Sequence, residues 1–182
     1  MTGFSGRQTK VLTCAAICVA LSLAMQQVGA VYRFPQGGSV TLFGMFFVAL
    51  AGYYFGPVVG LIVGAVTGSL DLLLGGYVVH PIQLLLDYPV AYGLLGGLAG
   101  LFFKLKYGLQ IGYIVGVLGR YISHTVSGVV FFAEYAPEGQ NYVIYSMGYN
   151  IGFIWPEAVL TLIIVSIPAF SKVISHVRER LH

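Results

Sequence analysis

At 182 residues, with 58% hydrophobic and only 8% charged side chains, the chain has too few charges to coat a soluble surface, where about 25% is usual. A mean hydropathy of +0.87 and apolar runs of about 20 residues mark an integral membrane protein and leave no room for a separate soluble domain. The net charge of +3 is not a nucleic-acid signature, because the basic residues flank the apolar runs, where they report topology.

The composition predicts an all-α membrane protein of six transmembrane helices in one domain over 1–182, with spans at about 11–30, 39–55, 57–74, 81–103, 107–135 and 141–170. The first run is long and lacks a small-residue cleavage site, so it reads as a span and not as a cleaved signal peptide. Within it Ala16, Ala20 and Ala24 form a smooth stripe that lets another helix approach closely, either inside the protein or from a partner. Cys14 and Cys18 are four apart and suit packing; without histidine partners they make no metal site.

The stretch VYRFPQGGSVTL, 31–42, is broken by Pro35, Gly37 and Gly38. It reads either as an interfacial connection with an aromatic anchor or as a lid over a pocket. The third span carries Gly60, Gly64 and Gly68 on one packing stripe, with Asp71 near its end, within reach of the interface. In the fourth, Asp87 is followed by Tyr88 and Pro89; the proline frees backbone carbonyls, which a membrane helix tolerates where neighbours satisfy them. The fifth span holds Arg120 and His124. An APEG turn, 136–139, leads into the sixth, and the chain finishes in a basic tail.

An even number of spans puts both ends on one side. Arg7, Lys10, Lys104, Lys106, Lys172, Arg178 and Arg180 flank that side, so the expected orientation is N-in, C-in. Asp87 then lies roughly 10 Å below the outer surface at helical rise, and His124 and Asn150 roughly 14–16 Å below it. Three polar groups on three helices at similar depth predict a pocket open to the outside. Arg120, His124, Gly128 and Phe132 share one helical face, Ser146 and Asn150 another, and Tyr145 and Tyr149 a neighbouring one. Gly128 is expected to leave space beside His124, with the rings as flat walls. A carboxylate, an imidazole, an amide and aromatic faces suit a flat, hydrogen-bonding cation. Arg120 and Glu157 lie deeper and are expected to form a structural ion pair beneath the pocket.

The segments PQGGSV (35–40), HPIQLLLDY (80–88), RYISHTVSGVVFF (120–132), APEG (136–139) and YSMGYN (145–150) closely resemble the thiamine-specific S-components of energy-coupling-factor (ECF) vitamin transporters, and the likeness covers essentially the whole chain. The resemblance implies capture of extracellular thiamine by a subunit of the prokaryotic cell membrane. Its partners would be a transmembrane coupling subunit and two ABC ATPases, since this chain has no P-loop. Asp87 matches the family's acidic ligand and His124 its pocket histidine. Tyr145 and Asn150 match its polar contacts, and Tyr77, Tyr88, Gly128 and Ser146 align with pocket positions. Phe132 stands where some members carry Trp, Asp87 where some carry Glu, and Phe34 about where some carry a lid tryptophan. The alanine stripe at Ala16 and Ala20 looks like the docking surface for the coupling subunit. No metal or resident cofactor is implied.

Two other readings compete. An S-component for another flat vitamin or for the pyrimidine precursor of thiamine would share the architecture but not the selectivity for a cation. An intramembrane hydrolase would use His124 as base and Ser127 as nucleophile one helical turn away, and would need an orienting acid within hydrogen-bond reach of the imidazole.

Overall fold

The computed structural model describes residues 6–181. Four helical segments, Gly6–Val28, Pro81–Gly100, Gly108–Phe131 and Tyr142–Ser166, are long and apolar enough to cross a membrane. Two shorter apolar helices, Gly44–Phe55 and Pro57–Leu73, complete the bundle. In chain order the elements are α1 (Gly6–Val28), strands β1 (Tyr32–Arg33) and β2 (Ser39–Val40), α2 (Gly44–Phe55), α3 (Pro57–Leu73), α4 (Pro81–Leu85) continuing through a π turn (Leu86–Val90) into α5 (Ala91–Gly100), α6 (Gly108–Phe131), a 3-10 turn (Ala133–Tyr135), α7 (Tyr142–Ser166) and α8 (Pro168–Leu181).

Two boundaries differ from the expected spans for identifiable reasons. The stretch at 39–43 is not helical. Ser39 and Val40 pair antiparallel with Arg33 and Tyr32, and Gly37, at φ 91°, supplies the left-handed turn between them. The sixth span stops at Ser166 because Pro168 holds the preceding Ile167 in an extended conformation. Proline then starts a separate helix, α8, which buries Ile174 and sets Phe170 6.1 Å from the ring of Phe46.

The core is built around α2, where Met45, Phe46, Val48, Ala49 and Ala51 are almost wholly buried. Its first turn needs a partner for its free N–H groups. Glu157 on α7 supplies one: its Oε1 accepts from the backbone N–H of Met45 at 2.7 Å, and its Oε2 accepts from the Thr41 hydroxyl. This carboxylate therefore caps α2 and ties the hairpin to α7. It is not the partner of Arg120, which corrects the expected ion pair. Phe43, at the turn into α2, sits at φ 61°, a left-handed conformation that a bulky side chain holds only where its surroundings impose it.

Helix α3 lies against α5 with no side chain between the backbones. A Cβ at Gly64 would overlap the carbonyl oxygen of Tyr92, and one at Gly60 that of Gly96. At one end of the bundle Lys10 donates to the Arg180 carbonyl at 3.3 Å, and the Arg178 guanidinium lies 4.7 Å from the Tyr53 ring. The start of α1, the end of α2 and the end of α8 therefore meet there. The hairpin and the α3–α4 and α6–α7 connections occupy the opposite end.

The close approach predicts that Gly64→Val lowers the thermal midpoint of the detergent-solubilised protein by several degrees, since overpacking costs about 1–3 kcal/mol. Gly148→Ala, where a Cβ meets nothing within 4 Å, is expected to leave the midpoint within about 2 °C. Differential scanning fluorimetry of both variants checks this.

Candidate functional site

At the hairpin end a cavity of about 270 Å³ lies between α1, α3, the π turn, α6 and α7. The π turn is its centre. Pro89 has no N–H, so the helix widens there, and the Leu86 carbonyl accepts the Ser123 hydroxyl of α6 at 2.7 Å. The widened turn carries Asp87 and Tyr88 to the cavity wall.

Asp87 has one oxygen engaged and one free. Oδ2 accepts from the Gln83 amide at 2.6 Å. Oδ1 is buried, receives no hydrogen bond and lies 3.1 Å from His124 Nδ1. Among the described residues no arginine or lysine nitrogen approaches this carboxylate within 4 Å. His124 in turn accepts at Nε2 from the Arg120 Nε–H at 3.3 Å, and the Phe153 ring meets its imidazole edge-on at 5.6 Å.

The opposite wall is set by α7. Asn141 caps its start, its side chain accepting from the Val143 N–H at 2.8 Å. One turn on, the Ser146 hydroxyl donates to the Thr125 carbonyl of α6 at 2.9 Å, and Asn150 Nδ2 donates to the Ser146 carbonyl at 2.8 Å. Gly128 makes this crossing possible. A Cβ there would overlap Ser146 Oγ, so this glycine serves the helix approach as well as lining the cavity with His124. The hairpin covers the cavity. The Phe34 ring packs 5.4 Å from Tyr149 and 6.1 Å from Phe153, and the Gly38 N–H donates to the Tyr149 hydroxyl at 3.4 Å.

Phe34, Asp87, Tyr88, His124, Gly128, Phe132, Tyr145, Ser146 and Asn150 all line the cavity. Tyr77 does not. It sits at the rim, where its backbone N–H donates to the Tyr88 hydroxyl at 2.7 Å and its ring lies 6.1 Å from Phe132. Ala16 and Ala20 lie far from the cavity, exposed on the outer face of α1.

Several lining residues lie outside the expected set. Arg120 lines the cavity instead of lying beneath it, and Asp71, expected to reach the interface, also lines it. The Tyr92 hydroxyl contacts Asp71 Oδ2 at 3.2 Å, and Gln26, with its amide nitrogen turned to the carboxylate, lies 3.0 and 3.1 Å from the two Asp71 oxygens. A sequence signal existed for Asp71, which falls three residues after Gly68 on the stripe that packs against α5. Gln26 has none beyond being a polar residue on the last turn of an apolar helix. Ser127 is fully buried, its Oγ meets no partner, and it is absent from the cavity wall. With both His124 nitrogens facing Asp87 and Arg120, the geometry forms no base–nucleophile pair. Among the described residues no cluster of three His, Cys, Asp or Glu side chains is placed to hold a metal.

Comparison with known proteins agrees with this architecture. The family model described as thiamine transporter protein (Thia_YuaJ) matches residues 12–175. Thiamine transporter ThiT of Bacillus subtilis is 33% identical over 165 residues, covering 82% of this chain and 85% of that protein. ThiT of Lacticaseibacillus paracasei is 38% identical over 121 residues, covering 57% and 60%. A solved structure of ThiT from Listeria monocytogenes superposes with a TM-score of 0.70 at 21% identity, covering 87% of this chain and 94% of that one, and so shares the fold. With nearly its whole length matched, this multi-pass membrane chain belongs to the thiamine transporter protein family.

Proposed function

We propose that this chain binds thiamine at the hairpin-covered cavity and delivers it inward as the substrate-binding subunit of an ECF-type importer. The observation that carries the ligand reading is the buried, unbonded Oδ1 of Asp87. A carboxylate at membrane depth is costly unless something answers its charge, and here Gln83 and His124 are its neighbours, with no arginine or lysine within 4 Å among the described residues. A monocation in the cavity supplies the missing charge. Phe34, Phe132, Tyr145, Tyr149 and Phe153 offer ring faces, each contributing about 0.5–2 kcal/mol to holding a cation. The thiazolium ring of thiamine is a flat cation, and the names of the relatives point to the same vitamin.

The inward step needs partners, because the chain carries no nucleotide-binding loop. The alanine stripe at Ala16, Ala20 and Ala24 is exposed along the side of the bundle, and small residues let a partner helix approach closely. We assign it to the transmembrane coupling subunit, with two ABC ATPases beneath. The basic end, where α1 and α8 meet, faces the cytoplasm in this arrangement, and the cavity faces outward.

Calorimetric titration of the purified chain in detergent is expected to give one-to-one thiamine binding. Asp87→Asn should weaken it by about 10- to 100-fold, the usual worth of a hydrogen bond to a charged group, without lowering the thermal midpoint. A folded protein that ignores thiamine refutes the ligand assignment. Tight binding of the neutral pyrimidine half, equal to that of thiamine, favours the precursor reading.

The docking assignment is separable. Ala16→Trp and Ala20→Trp should leave the titration within about threefold of the parent, because neither residue touches the cavity. Both should abolish thiamine uptake by cells carrying the complete importer, measured with labelled vitamin.

A further inference from the structure

We propose that Arg120 acts on ligand through His124: it fixes the imidazole as the Nδ1–H tautomer, so that the cavity presents a donor directly beside the free acceptor Oδ1 of Asp87. The inference deepens the thiamine reading and names Arg120 as a positioning residue for specificity.

The geometry decides the tautomer. Arg120 Nε–H donates to His124 Nε2 at 3.3 Å. A guanidinium has five donors and no acceptor, so Nε2 must be the unprotonated nitrogen and the single ring proton sits on Nδ1. Nδ1 lies 3.1 Å from Asp87 Oδ1, yet that oxygen receives no hydrogen bond, so the N–H is not aligned on it, and both residues line the cavity. Among the described residues no other polar side chain bonds the ring. Phe153 from α7 meets it edge-on, and from the π turn it faces Asp87. The Asp87 carboxylate beside Nδ1 favours the same proton position, and Arg120 adds to it by closing Nε2 to a proton.

Arg120 is itself held in place. Its guanidinium lies 4.2 Å from the centre of the Tyr92 ring, and Nη2 donates to the Tyr92 hydroxyl at 3.2 Å. Tyr92 is 2% exposed, and its hydroxyl donates on to Asp71 Oδ2 at 3.2 Å, where Gln26 also converges. Asp71 supplies the negative charge at the far end of this relay, and Tyr92 prevents the arginine from swinging into the cavity.

The consequence is a recognition edge. With Nδ1–H set, Asp87 and His124 offer acceptor beside donor, which suits a ligand edge with donor beside acceptor. The opposite tautomer would offer two acceptors and demand two donors. A site built to pair a buried polar edge rejects the mismatched one strongly, because the mismatch leaves a buried group unbonded.

Nitrogen NMR of the ¹⁵N-histidine-labelled, unliganded chain tests this, with His124 identified by its loss in His124→Asn. The expected spectrum has a protonated Nδ1 and an unprotonated Nε2, and in Arg120→Met both resonances move partway toward each other as the Nε2–H tautomer gains population. A protonated Nε2 in the parent overturns the proposal, and this reading needs no folded variant at residue 120. In titrations, Arg120→Met should weaken thiamine binding about 10- to 100-fold in the parent and less than about threefold in the His124→Asn background. Equal losses in both backgrounds show that Arg120 acts independently of His124 and also overturn it. Failure of the parent to bind thiamine sinks the functional reading alone, since the nitrogen spectrum is read without ligand.

Discussion

An apolar surround leaves an interrupted helix no water to bond to, so each break in the backbone must be answered by another part of the protein. Two breaks matter here, and each is answered by one side chain from a helix distant in sequence. Ser123 bonds the Leu86 carbonyl at the π turn, and Glu157 accepts the Met45 N–H at the start of α2 and the Thr41 hydroxyl beside it. The breaks could not be moved elsewhere without losing these partners. The cavity forms where they cluster, because a widened turn and a hairpin leave volume that continuous helices would fill.

The polar content of the cavity falls into two groups. Rings and the unbonded Asp87 oxygen form one part of its wall. Another part is Arg120, Tyr92, Asp71 and Gln26, a set whose members satisfy each other. A buried polar network of this kind rigidifies the groups beside it only when it is fully bonded. The close α3–α5 approach through Gly60 and Gly64 keeps Asp71 and Tyr92 in register, so helix packing and ligand geometry rest on the same glycines.

Much of this was legible in the sequence, and the reasons are physical. Asp87, His124 and Asn150 stand out because a polar residue inside an apolar run is expensive, and helical rise alone places them at similar depth. Depth does not give direction around a helix axis. Arg120 and Glu157 are both deep, but they meet different partners, Tyr92 and the start of α2, which only the packed structure reveals. Gly128 is conspicuous as a small residue near His124, yet what it accommodates is Ser146, a contact between helices that sequence spacing cannot supply. The hairpin was hidden for another reason: two-residue strands have no periodicity, and the glycines at 37 and 38 announce a turn without saying what pairs across it.

Helix α1 presents two different faces. Cys18, Ser22 and Gln26 are buried on one face, four residues apart, while Ala16, Ala20 and Ala24 are exposed on the other. The stripes are offset by two residues, about 200° of helical turn, so they lie on opposite sides of one rigid rod. Gln26 ends the inner stripe against Asp71 and Tyr92, and Ser22 holds the start of α2 through the Gly44 carbonyl at 2.6 Å. A partner seated on the outer stripe therefore presses on the helix that backs the relay behind His124. The proposed docking face and the polar set around Arg120 share α1, and a shift of that rod along or across the bundle cannot leave Gln26, and with it the support of Arg120, where it was.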